Sequence, residues 1–350
     1  MRRWLGIKNH GPIGVDLGTR SVKLMQFSAD GSRLLAAERW DLPYAERPSP
    51  AQRDSQLAEG VRRARESQRF RGREAVLCLG SGEIFVQNIR VPQARGEALA
   101  QIVRQEAAGR LTFEGDAEIR FLEAGDVRQG EAVKREVIVM ATPKAALQRA
   151  LGVVEQADLR PVAVDVEPLA LARCFSRQFR REEDRALGTL YVHLGASSTA
   201  VIIARGADLQ FVKYIDLGGR QLDEAVAARL NVKLADAAAM RRHHGERRAD
   251  RQDAEVARTV GEALGPVIDR LTGEVALCLR YHSVTFRGQK LERFVLTGGE
   301  ASEALIDTFA KRLNLPGELG NPLRGYERTS VPGRKSQWDV AAGLALREVI

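Results

Sequence analysis

The sequence predicts an α/β fold of two related lobes around a cleft, with an α+β subdomain inserted into the first. Three observations carry this. A strand–acid–x–Gly–hydroxyl–strand pattern stands near the start, a stretch of similar form stands at 190–203, and a strand running into Gly-Gly-Glu ends at 300. The first two lie far apart in the chain, so they read as corresponding turns of two lobes.

The first pattern is Ile13-Gly14-Val15-Asp16-Leu17-Gly18-Thr19-Arg20-Ser21-Val22-Lys23-Leu24. It reads as a β-hairpin whose tip can cradle a phosphate. Gly18 lets the backbone approach an anion, and Thr19 and Ser21 offer hydroxyl donors. Successive N–H groups in such a turn form an anion nest. Asp16 cannot bind phosphate directly, but it can hold a hydrated Mg²⁺ that does. Alone, the pattern also fits a plain turn closed by Asp16 and Gly18. The second stretch, with His193, Gly195, Ser197, Ser198 and Thr199 between two strand-like runs, repeats the form and shifts the balance.

Between these turns the chain reads as strands to Cys78, interrupted by a loop with Pro43, Pro48 and Pro50 and a helix from about Ala51 to Gln68. From Ile84 the pattern changes. A strand to about Val91 precedes a helix with Leu99, Ile102 and Val103 on one face. Strands follow near 118–123 and 136–142. Thr142-Pro143 reads as the N-cap and first residue of a helix carrying Leu147, Ala150, Leu151 and Val154 on one side. Val164 to Ala172 places Glu167-Pro168 before small apolar residues. After Gly218-Gly219 come amphipathic helices, then a mixed-charge run from Arg241 to Arg251 that reads as a solvated loop. His243 and His244 are adjacent and so point to different sides of a helix, which disfavours metal binding. A long helix from about Ala254 to Tyr281 is expected to bend at Gly265-Pro266. Phe294 to Glu300 is a strand, a Gly-Gly turn on which a flat ring can lie, and a helix start. Trp338 to Leu346 is a small-residue helix.

At 350 residues and 44% hydrophobic content the chain can bury a large core in more than one lobe. Its apolar runs are strand-sized and none reaches a membrane-spanning length. Met1-Arg2-Arg3-Trp4-Leu5 lacks the apolar segment of a signal peptide. Cys78, Cys174 and Cys278 show no metal or redox spacing, which points to buried thiols in a reducing compartment. The net charge is +8. Acids are interspersed with the arginines and no aromatic-rich basic stripe is present, so nucleic acid is disfavoured. The charge suits an anionic membrane surface or acidic partners.

These elements, in this order, resemble the actin-like ATPase fold shared by actin, sugar kinases, DnaK-type chaperones and FtsA. Within that superfamily the chain resembles the PilM family of cytoplasmic type IV pilus assembly proteins over nearly its whole length. The resemblance rests on GVDLGTRSVKLMQF from Gly14, AVDVEPLALARCF from Ala163 and HLGASSTAVIIARGADLQFVKYIDLGGRQLDEAVA from His193. FVLTGGEASEALIDTFAKRLNLPGELGNPL from Phe294 and AAGLALR from Ala341 complete it.

The resemblance implies a first lobe of residues 1–83, 162–192 and 331–350. It implies a partner-binding FtsA-type insert at 84–161. The second lobe would be 193–330, with a helical subdomain at about 220–290. ATP and Mg²⁺ would be the cofactors. Asp16 would hold Mg²⁺ through water, and Gly18, Thr19, Arg20 and Ser21 would wrap the phosphates. Lys23 would reach a phosphate or sit on the strand surface. Gly195, Ser197, Ser198 and Thr199 would wrap from the other lobe, and Gly298, Gly299 and Glu300 would border adenine and ribose. Glu167 would orient the attacking water, serve as a helix N-terminal acid, or do both. The helices at Glu167 and Trp338 would pack closely at the hinge.

One residue departs from the family pattern. The second hairpin normally begins with Asp, where this chain has His193. Neutral imidazole is a poor partner for hard Mg²⁺. A protonated ring repels the metal but can touch phosphate. Nucleotide binding is therefore expected in weakened or altered form, with hydrolysis slow or absent. If His193 faces away, Asp16 with Glu167 suffices instead.

As partner the resemblance implies the cytoplasmic tail of a PilN-like membrane protein, held at a groove of the insert. Other pilus-machine components, including assembly ATPases, self-association in a ring and peripheral contact with the inner membrane are also implied. Two alternatives stand beside this reading. An FtsA-like filament protein, active as an ATPase, usually continues into a linker and a membrane-binding helix after the last motif, where this sequence stops. A sugar-kinase-type phosphotransferase needs a base near the cleft, and no Asp-centred motif beyond the shared core offers one.

Overall fold

A computed structural model describes residues 9–43, 49–67, 69–246, 254–326 and 330–348. The basic segment Met1 to Leu5 and the end of the mixed-charge run, 247–251, lie outside the described residues.

β1 (Ile13–Leu17) and β2 (Ser21–Phe27) form the expected antiparallel hairpin, with Asp16 directly opposite Lys23. β3 (Leu34–Asp41) extends it. After α1 (Pro50–Ser67), β4 (Glu74–Leu79) lies parallel to β1. The insert then supplies β5 (Phe85–Pro92), α2 (Gly96–Ala108), β6 (Ala117–Gln129) and β7 (Ala132–Pro143), a separate sheet of order β5-β7-β6. Leu99, Val103 and Ala107 of α2 bury against Ile89, Val91, Val137 and Val139 of that sheet.

α3 (Lys144–Gln156) returns to the first lobe and leads into β8 (Arg160–Val166) and α4 (Glu167–Ser176). The inserted sheet ends at Pro143, and Ala150, Val153 and Val154 of α3, within the expected insert of 84–161, bury among Val15, Leu77 and the α1 face. Thr142 does not cap α3. Its hydroxyl donates to the Glu83 carbonyl, 2.7 Å away, and Pro143 holds the N-cap position.

A short α5 (Glu182–Ala186) precedes β9 (Gly188–Leu194), β10 (Thr199–Arg205) and β11 (Asp208–Ile215). The expected lobe break after residue 192 falls inside β9. Then come α6 (Gly219–Leu230), α7 (Leu234–Glu246), α8 (Ala254–Thr285), β12 (Arg293–Thr297), α9 (Ile306–Leu313), β13 (Gly317–Leu319) and α10 (Asp339–Ala345). The mixed-charge run is helical as far as Glu246, and Arg241 within it is buried, not solvated. α8 runs through Gly265 and Pro266 as one helix.

The two lobes share one topology. The first sheet is ordered β3-β2-β1-β4-β8 and the second β11-β10-β9-β12-β13. Each has three antiparallel strands followed by two parallel ones. The β1–β2 turn and the β9–β10 turn are therefore equivalent.

α4 and α10 pack between the lobes. A Cβ added at Gly343 would overlap the Ala170 carbonyl, and one added at Gly14 would overlap the α10 backbone at Ala341. Only glycine permits these approaches, which is the close hinge packing that the small residues foretold.

Candidate functional site

The two anion-type turns meet across the interlobe cleft. Thr19 Oγ1 lies 3.1 Å from Ser197 Oγ. Ser81, just past β4, brings its hydroxyl to 2.7 Å from Ser198 Oγ. Between these contacts is a cleft of about 400 Å³, within the range of about 300–1,000 Å³ typical of small-molecule sites. Asp16, Gly18, Thr19, Arg20, Ser21 and Lys23 line it from the first turn. Gly195, Ser197 and Ser198 line it from the second, Gly299 and Glu300 from the third, and Glu167 and His193 from the floor.

Two expected site residues stand outside it. Thr199 is fully buried and donates its hydroxyl to the Leu217 carbonyl at 2.6 Å, which fixes the base of the second turn. Gly298 has φ +99° and presses on Leu194, where a Cβ would come to 2.5 Å of the carbonyl oxygen. It shapes the third turn and leaves Gly299 to face the cleft.

Lys23 does not sit on an open strand surface. Strand pairing sets it opposite Asp16, and its ammonium forms a buried ion pair with the Asp16 carboxylate. Glu167 is the first residue of α4, so both expected roles remain open to it geometrically. Burial raises its carboxyl above the usual range, and nearby Asp339 and Asp16 add to that.

His193 faces inward. Its Nδ1 lies 2.7 Å from Asp339 Oδ2, at the start of α10. Asp339 is itself fully buried. It accepts a further hydrogen bond at Oδ2 from Thr297 Oγ1 at 2.8 Å, and Oδ1 accepts the Val340 N–H at 2.8 Å. Burial opposes charge on the imidazole, but the Asp339 and Glu167 carboxylates outweigh it and raise His193 to about 9. The surroundings therefore favour the charged form of the ring. Burial likewise opposes charge on Asp339, and His193 outweighs it, so the carboxyl is lowered.

Arg20 carries the first turn across to the second lobe. Its guanidinium donates to Glu300 Oε1 at 2.7 Å and also pairs with Asp223 of α6. Arg241 of α7 completes the ring, donating to Asp223 Oδ1 at 2.7 Å and Glu300 Oε2 at 2.6 Å. Buried charges are costly unless each finds partners, and here both carboxylates are bridged by both guanidiniums. Arg53 of α1 holds the first turn from below, donating to the Thr19 carbonyl at 2.8 Å and the Gly18 carbonyl at 2.6 Å.

These donors fit Mg²⁺ poorly. The ion takes near-octahedral oxygen ligation. Asp16 is paired with Lys23, both oxygens of Asp339 are engaged, and the remaining acid position holds a histidine. Among the described residues no group of three or more His, Cys, Asp or Glu could hold a metal.

A family model described as type IV pilus assembly protein PilM matches residues 14–349. The chain belongs to the PilM family. Among solved structures it is similar to a PilM–PilN type IV pilus biogenesis complex, with 24% identity and a TM-score of 0.80 over 97% of this chain and 98% of that one. It is also similar to the ethanolamine utilization protein EutJ from Carboxydothermus hydrogenoformans, at 14% identity and TM-score 0.59 over 96% and 89% of the two chains. MreB5 of Spiroplasma citri bound to AMPPNP matches at 11% identity and TM-score 0.51, over 96% and 95%. These likenesses establish the actin-like ATPase fold.

Several residues of this PilM-family site were not foreseen. Ser81 stands after β4 where Gly299 stands after β12, and a Gly80-Ser81-Gly82 run following a strand was the available signal. Asp339 carried a weaker one, an acid at the start of the small-residue helix. Asp223, Arg241 and Arg53 carried none, since a charge on a helix reads as solvated until its partners are known. Among the described residues no helix is long and apolar enough to cross a membrane.

Proposed function

We propose that this PilM-family chain is a nucleotide-binding scaffold of a type IV pilus machine, with weak or no hydrolysis. It works on the cytoplasmic face of the inner membrane and binds the cytoplasmic tail of a PilN-like protein. Support for a nucleotide comes from the two equivalent anion-type turns that converge on a cleft of ligand size. Support for poor hydrolysis comes from the observation that carries the reading: His193, tied to Asp339, stands where the fold expects an acid. Phosphoryl transfer needs charge neutralised and a water positioned at the γ-phosphate. A tethered cation there places charge but cannot orient water as a carboxylate does.

The partner follows from the similar PilM–PilN complex. The insert offers a groove of about 750 Å³ between β5 and the second lobe, lined by Phe85, Val86, Phe211, Tyr214, Leu277 and Tyr281. An extended apolar tail suits such a groove beside a strand. Contacts with assembly ATPases, ring formation and peripheral membrane association belong to the same reading.

Phosphate release from ATP decides the hydrolysis claim. Wild type is expected to turn over at least tenfold more slowly than His193→Asp in the same Mg²⁺ buffer. Equal, brisk turnover in both proteins would remove the argument.

A further inference from the structure

We infer that the cleft takes its nucleoside polyphosphate without a divalent cation, with the Lys23 ammonium and the His193 ring as the donors that meet the phosphate oxygens. The inference rests on the nucleotide-binding reading above and concerns how the same site handles phosphate charge.

Lys23 and His193 come from equivalent hairpins of the two lobes and both line the cleft. Lys23 is buried against Asp16, so the acid that would order metal-bound water already has a cation on it. His193 is oriented by its partner. Asp339 takes Nδ1, which turns Nε2 toward the second anion-type turn, 3.8 Å from where a Cβ on Gly195 would stand. Either form of the ring disfavours Mg²⁺. The neutral ring is a soft donor for a hard ion, and the charged ring repels it. The charged ring presents an N–H to a phosphate oxygen, and charge-assisted bonds of this kind are short and strong.

Asp339 cannot take over the metal. Its two oxygens accept bonds from His193, Thr297 and the Val340 amide, and the side chain is fully buried. Glu167 is left as a lone carboxylate, and burial raises its proton affinity. Mg²⁺ usually holds one or two carboxylates beside its waters and phosphates, and here Asp16 and Asp339 are taken by Lys23 and His193.

The test is calorimetric titration of the full chain with ATP, once with Mg²⁺ and once with EDTA. The dissociation constants are expected to agree within about threefold, and His193→Asp is expected to bind at least tenfold more weakly in EDTA than in Mg²⁺. His193→Asn, which keeps the size but loses the charge, should weaken wild-type binding in EDTA by about tenfold. It serves if the Asp variant fails to fold, with thermal melting as the check. Wild-type binding that falls tenfold or more in EDTA would overturn the inference and leave the nucleotide-binding reading intact. Binding in neither buffer would overturn both. An Asp variant with the wild-type response to EDTA, or an unchanged Asn variant, would remove His193 from the account.

Discussion

His193 and Asp339 form the pair on which the site turns, and its two members titrate in opposite senses. The His193 ring is raised from 6.5 to about 9 in the folded chain. A raised basic group stabilises the fold fully below its unfolded value, and that stabilisation is lost as pH climbs from about 6.5 through about 9. The Asp339 carboxyl is lowered, so its contribution is present above its unfolded value and is lost as pH falls through its folded one. Stability from the pair is therefore greatest in mild acid, between the unfolded values of the two groups, 3.8 and 6.5. Denaturant unfolding of wild type should weaken between pH 6.5 and 9.5 by at most about 3 kcal/mol through this pair. His193→Gln should flatten that alkaline slope. Identical slopes in both proteins would mean the ring is not charged in the fold. At this scale the sequence exposed part of the site. His193 stood out because a turn of known form began with the wrong residue. Arg241 did not, because its burial depends on Asp223 and Glu300, and the latter lies 59 residues further along the chain.

The elements that frame the cleft owe their geometry to missing side chains. α10 lies against β1 at Gly14 and against α4 at Gly343, with Ala341 and Ala342 buried between them. Overpacking a tight core costs about 1–3 kcal/mol, and more where backbone must move. Gly343→Val should therefore lower stability by about 3 kcal/mol in denaturant unfolding, while the half-buried Gly152 of α3, which has open space beside it, should accept alanine with little change. A Gly343→Val protein as stable as wild type would show that α4 and α10 do not meet as closely as described. The small-residue pattern made this contact legible. The fate of α3 was not legible. Its apolar face reads the same whether it covers the inserted sheet or the first lobe, and only the packing of Val153 and Val154 against the α1 side decides it. The β9 boundary was blurred for a similar reason: strand character begins at Gly188, but the recognisable turn begins at His193.

Across the whole molecule, the doubled sheet topology was legible because each lobe states its turn in the sequence. The contacts that close the lobes on each other were not. Thr19 with Ser197, Ser81 with Ser198, and Arg20 with Asp223 and Glu300 span the cleft. Every one of these links involves a turn that lines the cleft, so on the proposed reading a bound nucleotide would sit against the contacts that hold the lobes together. The inserted sheet is tied to the second lobe by Asn88, which donates to the Gln210 carbonyl at 2.9 Å and accepts from the Val212 amide at 3.2 Å. On the proposed reading a change in lobe spacing would reach the groove beside β5, the kind of hinge coupling that links two sites through one rigid-body motion. The most direct measurement is calorimetric titration of the protein with a synthetic peptide from the cytoplasmic tail of the neighbouring PilN-like protein, with and without saturating ATP. The account predicts that the peptide binds and that ATP changes its affinity by about fivefold or more. Peptide binding untouched by ATP would contradict the nucleotide-gated part, and a peptide that does not bind in either condition would contradict the scaffold itself.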